Sequence, residues 1–513
     1  MLRRVLPDSR RWQLLFAATS LVLAWMMVQS AWLSDDGLIT FRTLEHFVNG
    51  DGLRFNLAER VQSYTRPLWL FLLAPVYLAT GEAFYTPILV SLVVSSVAVA
   101  GLLVVPVREG RWLAASAAGA CLVSSKAFVD YTTSGLETPL SYLLLAIGIH
   151  LALSEPRRLG ALALVTSLAF VNRMDSVLLL LPPLLLSIAG EVRGPTPTRS
   201  WLASLLLGFT PALSWLVFAT FYYGTPLPNT FYAKLTTGIE GALLREQGLF
   251  FLGHSFRFDI VTPAVILISL CLAAVVATRR RSFSAAAVAA GIVLQLLYLI
   301  EIGGDFMAGR LLAPPFFAAV ALLARVAWPA VGFGGLALLC LVVSLMNPLS
   351  PLRAGRDYEN RDEAQVLADR GISDERGFYY RRRGLLAQEA ERELTAGSRC
   401  REDSAPVVIR SVCGELGYES FSACRATFLA DRCALSDPLL ARMPMIDPTR
   451  WRVGHYFRRV PRGYRDSLEQ DANLLAAPAH HALYEDIRLA TRAPLFAPGR
   501  FGAIWRLSVY PRR

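Results

Sequence analysis

The chain has 513 residues, of which 54% are hydrophobic and 18% charged, with a net charge of +11. That apolar excess excludes an ordinary soluble enzyme of the same length. The basic balance could suit nucleic acid, but no RNP, zinc-finger or basic-zipper pattern accompanies it, so no nucleic-acid partner is expected. Membrane lipid, or an acidic ligand such as a lipid phosphate, is the better match.

The N-terminus reads Met1-Leu2-Arg3-Arg4 and is followed by an apolar run from Trp12 to Leu33. That run exceeds a signal-peptide core and has no small-residue cleavage site, so it reads as a retained first helix with its basic end in the cytoplasm. Ten further apolar runs follow at 84–107, 111–127, 138–153, 158–172, 175–190, 201–221, 257–278, 283–302, 311–327 and 329–347. Each is weighed against the ~20 residues a helix needs to cross a bilayer. Arg108/Arg111, Arg157/Arg158, Arg193/Arg199 and Arg279-Arg280-Arg281 then share a side with the N-terminus, the cytoplasmic side of a bacterial inner membrane. About eleven crossings place the C-terminal region outside. The run Pro67–Thr80 is marginal for a span, and crossing there would turn the arginine clusters outward. It reads as a re-entrant or interfacial helix, with a tilted full span as the alternative.

The outer loops hold the chemistry-bearing residues. The first, 34–83, begins Ser34-Asp35-Asp36-Gly37 at the end of the first span. Two carboxylates there suit a general base poised at the interface, and each raises the other's affinity for a proton. Capping of an amphipathic helix running through Phe47 is the bland reading of Ser34 or Asp35. Arg66 precedes the re-entrant run, where a lipid-linked phosphate could enter or a snorkelling side chain could rest. Glu137 stands at a helix start, Arg173 and Asp175 lie between two apolar runs, and Tyr222–Lys234 is an aromatic loop carrying Asn229, Tyr232 and the cation Lys234. Asp305 and Arg310 flank a glycine-rich turn that would need neither for its own geometry.

Two prolines near Asn347–Pro351 end the apolar part, and the polar, Arg-rich segment 348–513 is expected to be a mixed α/β extracytoplasmic domain. Cys400, Cys413, Cys424 and Cys433 are even in number without a CxxC pair, which favours two disulfides over zinc and leaves three pairings. Cys121, Cys271 and Cys340 lie in the predicted spans as packing residues.

Taken together, SDDGLITFR, GDGLRFN, TSGLE, YYGTPLPNTFYAK and GGDFMAGRLLAP, with Trp451–Tyr456, Pro461–Tyr464, Tyr484–Asp486 and Thr491-Arg492 in the tail, resemble the AftB-like terminal arabinofuranosyltransferases. These are polyprenyl-phosphate-sugar-dependent glycosyltransferases of the GT-C fold. The resemblance covers most of the chain, but the tail is shorter than in mycobacterial members, which leaves the acceptor open. It implies a helical polytopic fold, a donor of decaprenyl-phosphoryl-D-arabinofuranose type, and an essential carboxylate at the position of Asp35 or Asp36.

The expected reaction is sugar transfer from that lipid donor to a hydroxyl of a glycan or exported protein. Asp36 is the first choice of base and Asp35 the second. Were the anomeric configuration retained, the two acids could divide nucleophile and base roles. By chemical inference Arg66, Lys234, Arg310, Asp305 and Arg173 would hold the donor phosphate region. Glu137, Asp175, Asn229, Tyr232, Trp451 and His455 would contact sugars, and Tyr464 is weighed beside them against core packing. No cofactor or metal ligand is assigned, and a divalent metal stays open. The alternative is a transporter or flippase of a lipid-linked sugar, although such proteins place ionisable groups nearer the midplane and show related halves.

Overall fold

The computed structural model describes residues 9–155, 158–280, 282–326, 328–354, 369–398, 400 and 409–509. Arg157, Arg281 and the basic start Met1–Arg4, used above for topology, lie outside the described residues.

Apolar runs without interior charge become helices. Among the described residues, six are long and apolar enough to cross a membrane: Arg10–Gln29, Tyr85–Arg108, Met174–Arg193, Thr198–Tyr223, Val261–Arg279 and Phe283–Glu301. Five shorter apolar helices accompany them: Pro67–Thr80, Trp112–Ser124, Thr138–Leu153, Leu159–Asn172 and Ala330–Met346. The chain is a membrane protein built mostly of helices. The run expected at 311–327 is the helix Ala313–Arg325, which is enclosed by protein along nearly its whole length. At 13 residues it is only about 20 Å long. The stretch before 257, read as loop, contains the helix Gly241–Phe258. Its Arg245, Glu246 and Arg257 interrupt the apolar pattern that a span would show.

Contacts divide the chain into two compact units. The first comprises Met1–Ser34, Pro87–Pro211 and Gly241–Arg392, and the second Asp35–Thr86, Ala212–Glu240 and Glu393–Arg513. Compactness therefore follows a different division from composition, which changes near residue 347.

In the first unit the helices approach closely at small residues, as is usual where lipid replaces water as solvent. A Cβ on Gly291 would lie 2.3 Å from the Leu179 carbonyl oxygen, and one on Gly248 would lie 2.4 Å from that of Ile300.

The second unit joins three separate stretches of chain. Strands β1 (Ile409–Val412) and β2 (Phe428–Asp431) pair in parallel, in register from Ile409↔Phe428 to Val412↔Asp431. The crossover between them carries the helix Leu416–Ser422. Disulfides Cys400–Cys424 and Cys413–Cys433 bracket that helix and resolve the three possible pairings. Buried arginines do much of the joining. Arg42 donates to the carbonyls of Phe55, Ser420 and Thr427. Arg458 donates to those of Ala233, Thr236 and Met443. Arg500 donates to those of Phe221, Tyr222, Ala490 and Leu495. A guanidinium has five N–H donors in a planar fork, so one side chain can satisfy carbonyls from several segments at once.

Gly291→Val should lower the thermal stability of the detergent-solubilised protein, by overpacking worth about 1–3 kcal/mol or more. Gly253→Ala, where an added Cβ meets nothing within 4 Å, should leave it unchanged or raise it by about 0.5–1 kcal/mol. Matched melting curves of the two variants check this.

Candidate active site

Asp35 and Asp36 open the helix Asp35–Val48. Carboxylates in the first turn are favoured by the helix dipole. Asp35, however, does more than serve its own helix. Its two oxygens accept the main-chain N–H groups of Gly417 (3.0 Å) and Tyr418 (2.7 Å). Those N–H groups belong to the first turn of the helix Leu416–Ser422, whose own cap position, Glu415, has a left-handed backbone and supplies no side-chain cap. Orphan amides at a helix start need an acceptor. Asp35 provides it from 382 residues away in sequence. The approach is close enough to require glycine, since a Cβ on Gly417 would lie 1.8 Å from the Asp35 carbonyl oxygen. Ile39, Phe55, Leu416 and Leu429 form the apolar cluster beneath this contact.

The Asp35 carboxyl is pushed up to about 7 from its ordinary value of 3.8. Withdrawal from water is the largest cause, and the charge of Asp36 adds to it; the two N–H donors pull the other way without cancelling the shift. The sequence reading credited the neighbouring acid, but desolvation is the larger effect.

Arg66 is buried, and its Nη2 donates to the Asp36 carbonyl at 3.0 Å. The cation expected near the donor phosphate is thus anchored on the turn that carries both acids. In the same unit Lys234 is exposed at the end of the helix Asn229–Leu235. Asn229 is committed to the fold: its amide donates to the carbonyls of Ala434, Leu435 and Asp437. Tyr232 lies under the Arg442 guanidinium at 4.7 Å. Trp451 packs on Tyr456, and His455 Nδ1 lies 3.3 Å from the Val453 carbonyl. Tyr464 is buried with its hydroxyl on Asp437 at 2.8 Å, which is core packing.

The other candidates gather within the first unit. Arg173 is shared between Glu137 (2.6 Å) and Asp175 (2.8 Å), and Asp175 also accepts from Gln295. Arg310 and Asp305 form a two-point pair at 2.6 and 2.9 Å. Asp305 is near enough to Arg173 to act on its charge. The group holds three carboxylates and two guanidiniums, so its cations are already balanced by acids.

Sequence reasoning missed a second charged group in this unit. Lys126 contacts Asp130 (2.6 Å) and Asp374 (3.3 Å), Arg376 pairs with Asp130 (2.8 Å), and all four side chains are buried. The signal was Lys126 itself, a cation at the end of a run read as a span, where an unpaired charge is costly. Its distant partner Asp374, and Arg376 that shares Asp130 with it, stand about 250 residues later and nothing local announces them. Among the described residues no group of three or more His, Cys, Asp or Glu is placed to hold a metal ion.

No family model matches the chain. It is 31% identical over 348 residues to the terminal beta-(1->2)-arabinofuranosyltransferase of Mycobacterium tuberculosis, covering 59% of this chain and 54% of that protein. It is 26% identical over 341 residues to the protein of the same name from Corynebacterium glutamicum, covering 57% and 48%. The chain thus spans about half the length of the curated relatives it matches. A crystal structure of ArnT from Cupriavidus metallidurans bound to undecaprenyl phosphate superposes with TM-score 0.44 and 14% identity over 65% of this chain and 63% of that one.

Because folding raises the proton affinity of Asp35, its contribution to stability is fully present below pH 3.8 and is lost as pH rises through about 7. Asp35→Asn should therefore flatten the decline in melting temperature between pH 4 and pH 8. Melting curves of both proteins across that range check it. Gly417→Ala should lower stability at every pH, by about 1–3 kcal/mol or more, because the clash involves main chain on both sides.

Proposed function

We propose that the chain is a membrane glycosyltransferase that moves a sugar, D-arabinofuranose, from a polyprenyl-phosphate donor to a hydroxyl of a cell-envelope glycan or exported protein. The reaction takes place on the extracytoplasmic side, where the outer loops and segment 348–513 lie. The names of both curated relatives support the transferase and its sugar. Neither supports a transporter.

One observation carries the assignment of roles: on a single helical turn, one carboxylate is bound to main-chain amides while its neighbour sits beside an anchored arginine. Asp35, with each oxygen engaged, is the positioning acid. Asp36 is the general base that takes the acceptor hydroxyl proton. The departing polyprenyl phosphate gathers negative charge, and a fixed cation facing that charge lowers the barrier. Arg66 is the first candidate for this duty, because it is anchored on the turn that carries both acids. Lys234 is the second candidate cation. Nothing in this division of roles requires a metal.

The test is purified protein with synthetic polyprenyl-phospho-arabinose and arabinan, pilin or O-polysaccharide acceptors. Wild type should transfer the sugar. Asp36→Asn should lose roughly 10²–10⁴-fold in turnover while keeping its melting temperature. Intact donor with every acceptor, or lipid-linked-sugar transport that survives Asp36→Asn, would overturn the reading.

A further inference from the structure

We propose that the last helix, Arg500–Val509, is a membrane-surface element whose outward aromatic face, with Phe496, rests in the interfacial layer of the bilayer. The helix has two apolar faces. Ala503, Ile504 and Leu507 are buried, and Ile504 and Leu507 belong to the core of the second unit. Phe501 and Trp505, four residues apart, share a different face. They are 55% and 64% exposed, and Phe496, just upstream, is 79% exposed. Three large aromatics so placed form a patch that a purely aqueous surface seldom shows.

Continuity identifies what covers the patch. Phe496 and Phe501 both pack on Phe221, at ring-centroid distances of 5.5 and 6.3 Å. Phe221 lies in the last turn of Thr198–Tyr223, one of the helices long and apolar enough to cross a membrane. Leu213 and Val217 precede it at four-residue spacing and are 50% and 71% exposed. An outward apolar stripe on a spanning helix faces acyl chains, and Phe496, Phe501 and Trp505 extend that stripe past the end of the span. There the headgroup region begins, and it favours tryptophan. The junction is held firmly. Buried Arg500 donates to the Phe221 and Tyr222 carbonyls, at 2.7 and 3.2 Å. Arg506 is paired with Asp486 at 2.6 Å. The C-terminal segment is therefore seated on the membrane surface rather than held clear of it.

Spin-label accessibility tests this on the full chain in lipid nanodiscs. Cys271 is the exposed free thiol, whereas Cys121 and Cys340 are buried, so a Cys271→Ala background suffices. Nitroxides are placed at Phe501→Cys, Trp505→Cys and, independently, Phe496→Cys, with exposed Glu485→Cys as the aqueous control. The three aromatic sites should favour dissolved oxygen over a water-soluble nickel chelate by several-fold, and Glu485→Cys should show the reverse. Chelate access at the aromatic sites equal to that at Glu485→Cys would overturn the proposal. So would exclusion of both reagents, the sign of a protein partner or second copy on the face.

Discussion

The second unit depends on a carboxylate that caps a helix it does not belong to. Asp35 fills the acceptor position that Glu415 leaves empty, and it joins the start of the helix Asp35–Val48 to the C-terminal crossover. An N-cap contributes about 0.5–2 kcal/mol. Here it also places the next residue, because a helical turn fixes Asp36 relative to Asp35. Arg42, two turns on, repeats the connection by donating to Ser420 and Thr427. The first loop and the tail are thus one structural object, and a change at either end of these contacts is felt at the candidate base.

That arrangement explains why an acid pair is tolerated at the start of the helix Asp35–Val48. Two adjacent carboxylates repel, and withdrawal from water penalises Asp35. The main-chain amides of Gly417 and Tyr418 offset part of that cost, yet Asp35 still stays near 7.

Much of this was legible in the sequence, for identifiable reasons. Long apolar runs became helices because nothing local competes with helix formation in them, as for Phe283–Glu301. Even cysteines without metal spacing became two disulfides. Glu137, Arg173, Asp175, Asp305 and Arg310 stood out as charges at the ends of apolar runs, and they assemble in one unit. What was not legible is long-range. Asp35 looked like a local cap because its acceptor role runs to Gly417 and Tyr418. Asn229 was read as a sugar ligand, and no local signal told of its bonds to the carbonyls near Ala434. Lys126 was hidden inside an apolar run. The arginine-rich tail looked like a surface for lipid, whereas Arg458 and Arg500 are internal. Composition reports how many charges there are; only packing decides which of them face water.

The central claim is that the two adjacent acids divide their roles, Asp35 holding the crossover helix and Asp36 serving chemistry. Amide hydrogen exchange over residues 409–433 tests it most directly, in the intact protein and in the Asp35→Asn and Asp36→Asn variants. The account predicts faster exchange of the helix Leu416–Ser422 in Asp35→Asn alone, with Asp36→Asn matching wild type. Equal loss of protection in both variants, or loss in Asp36→Asn only, would contradict it.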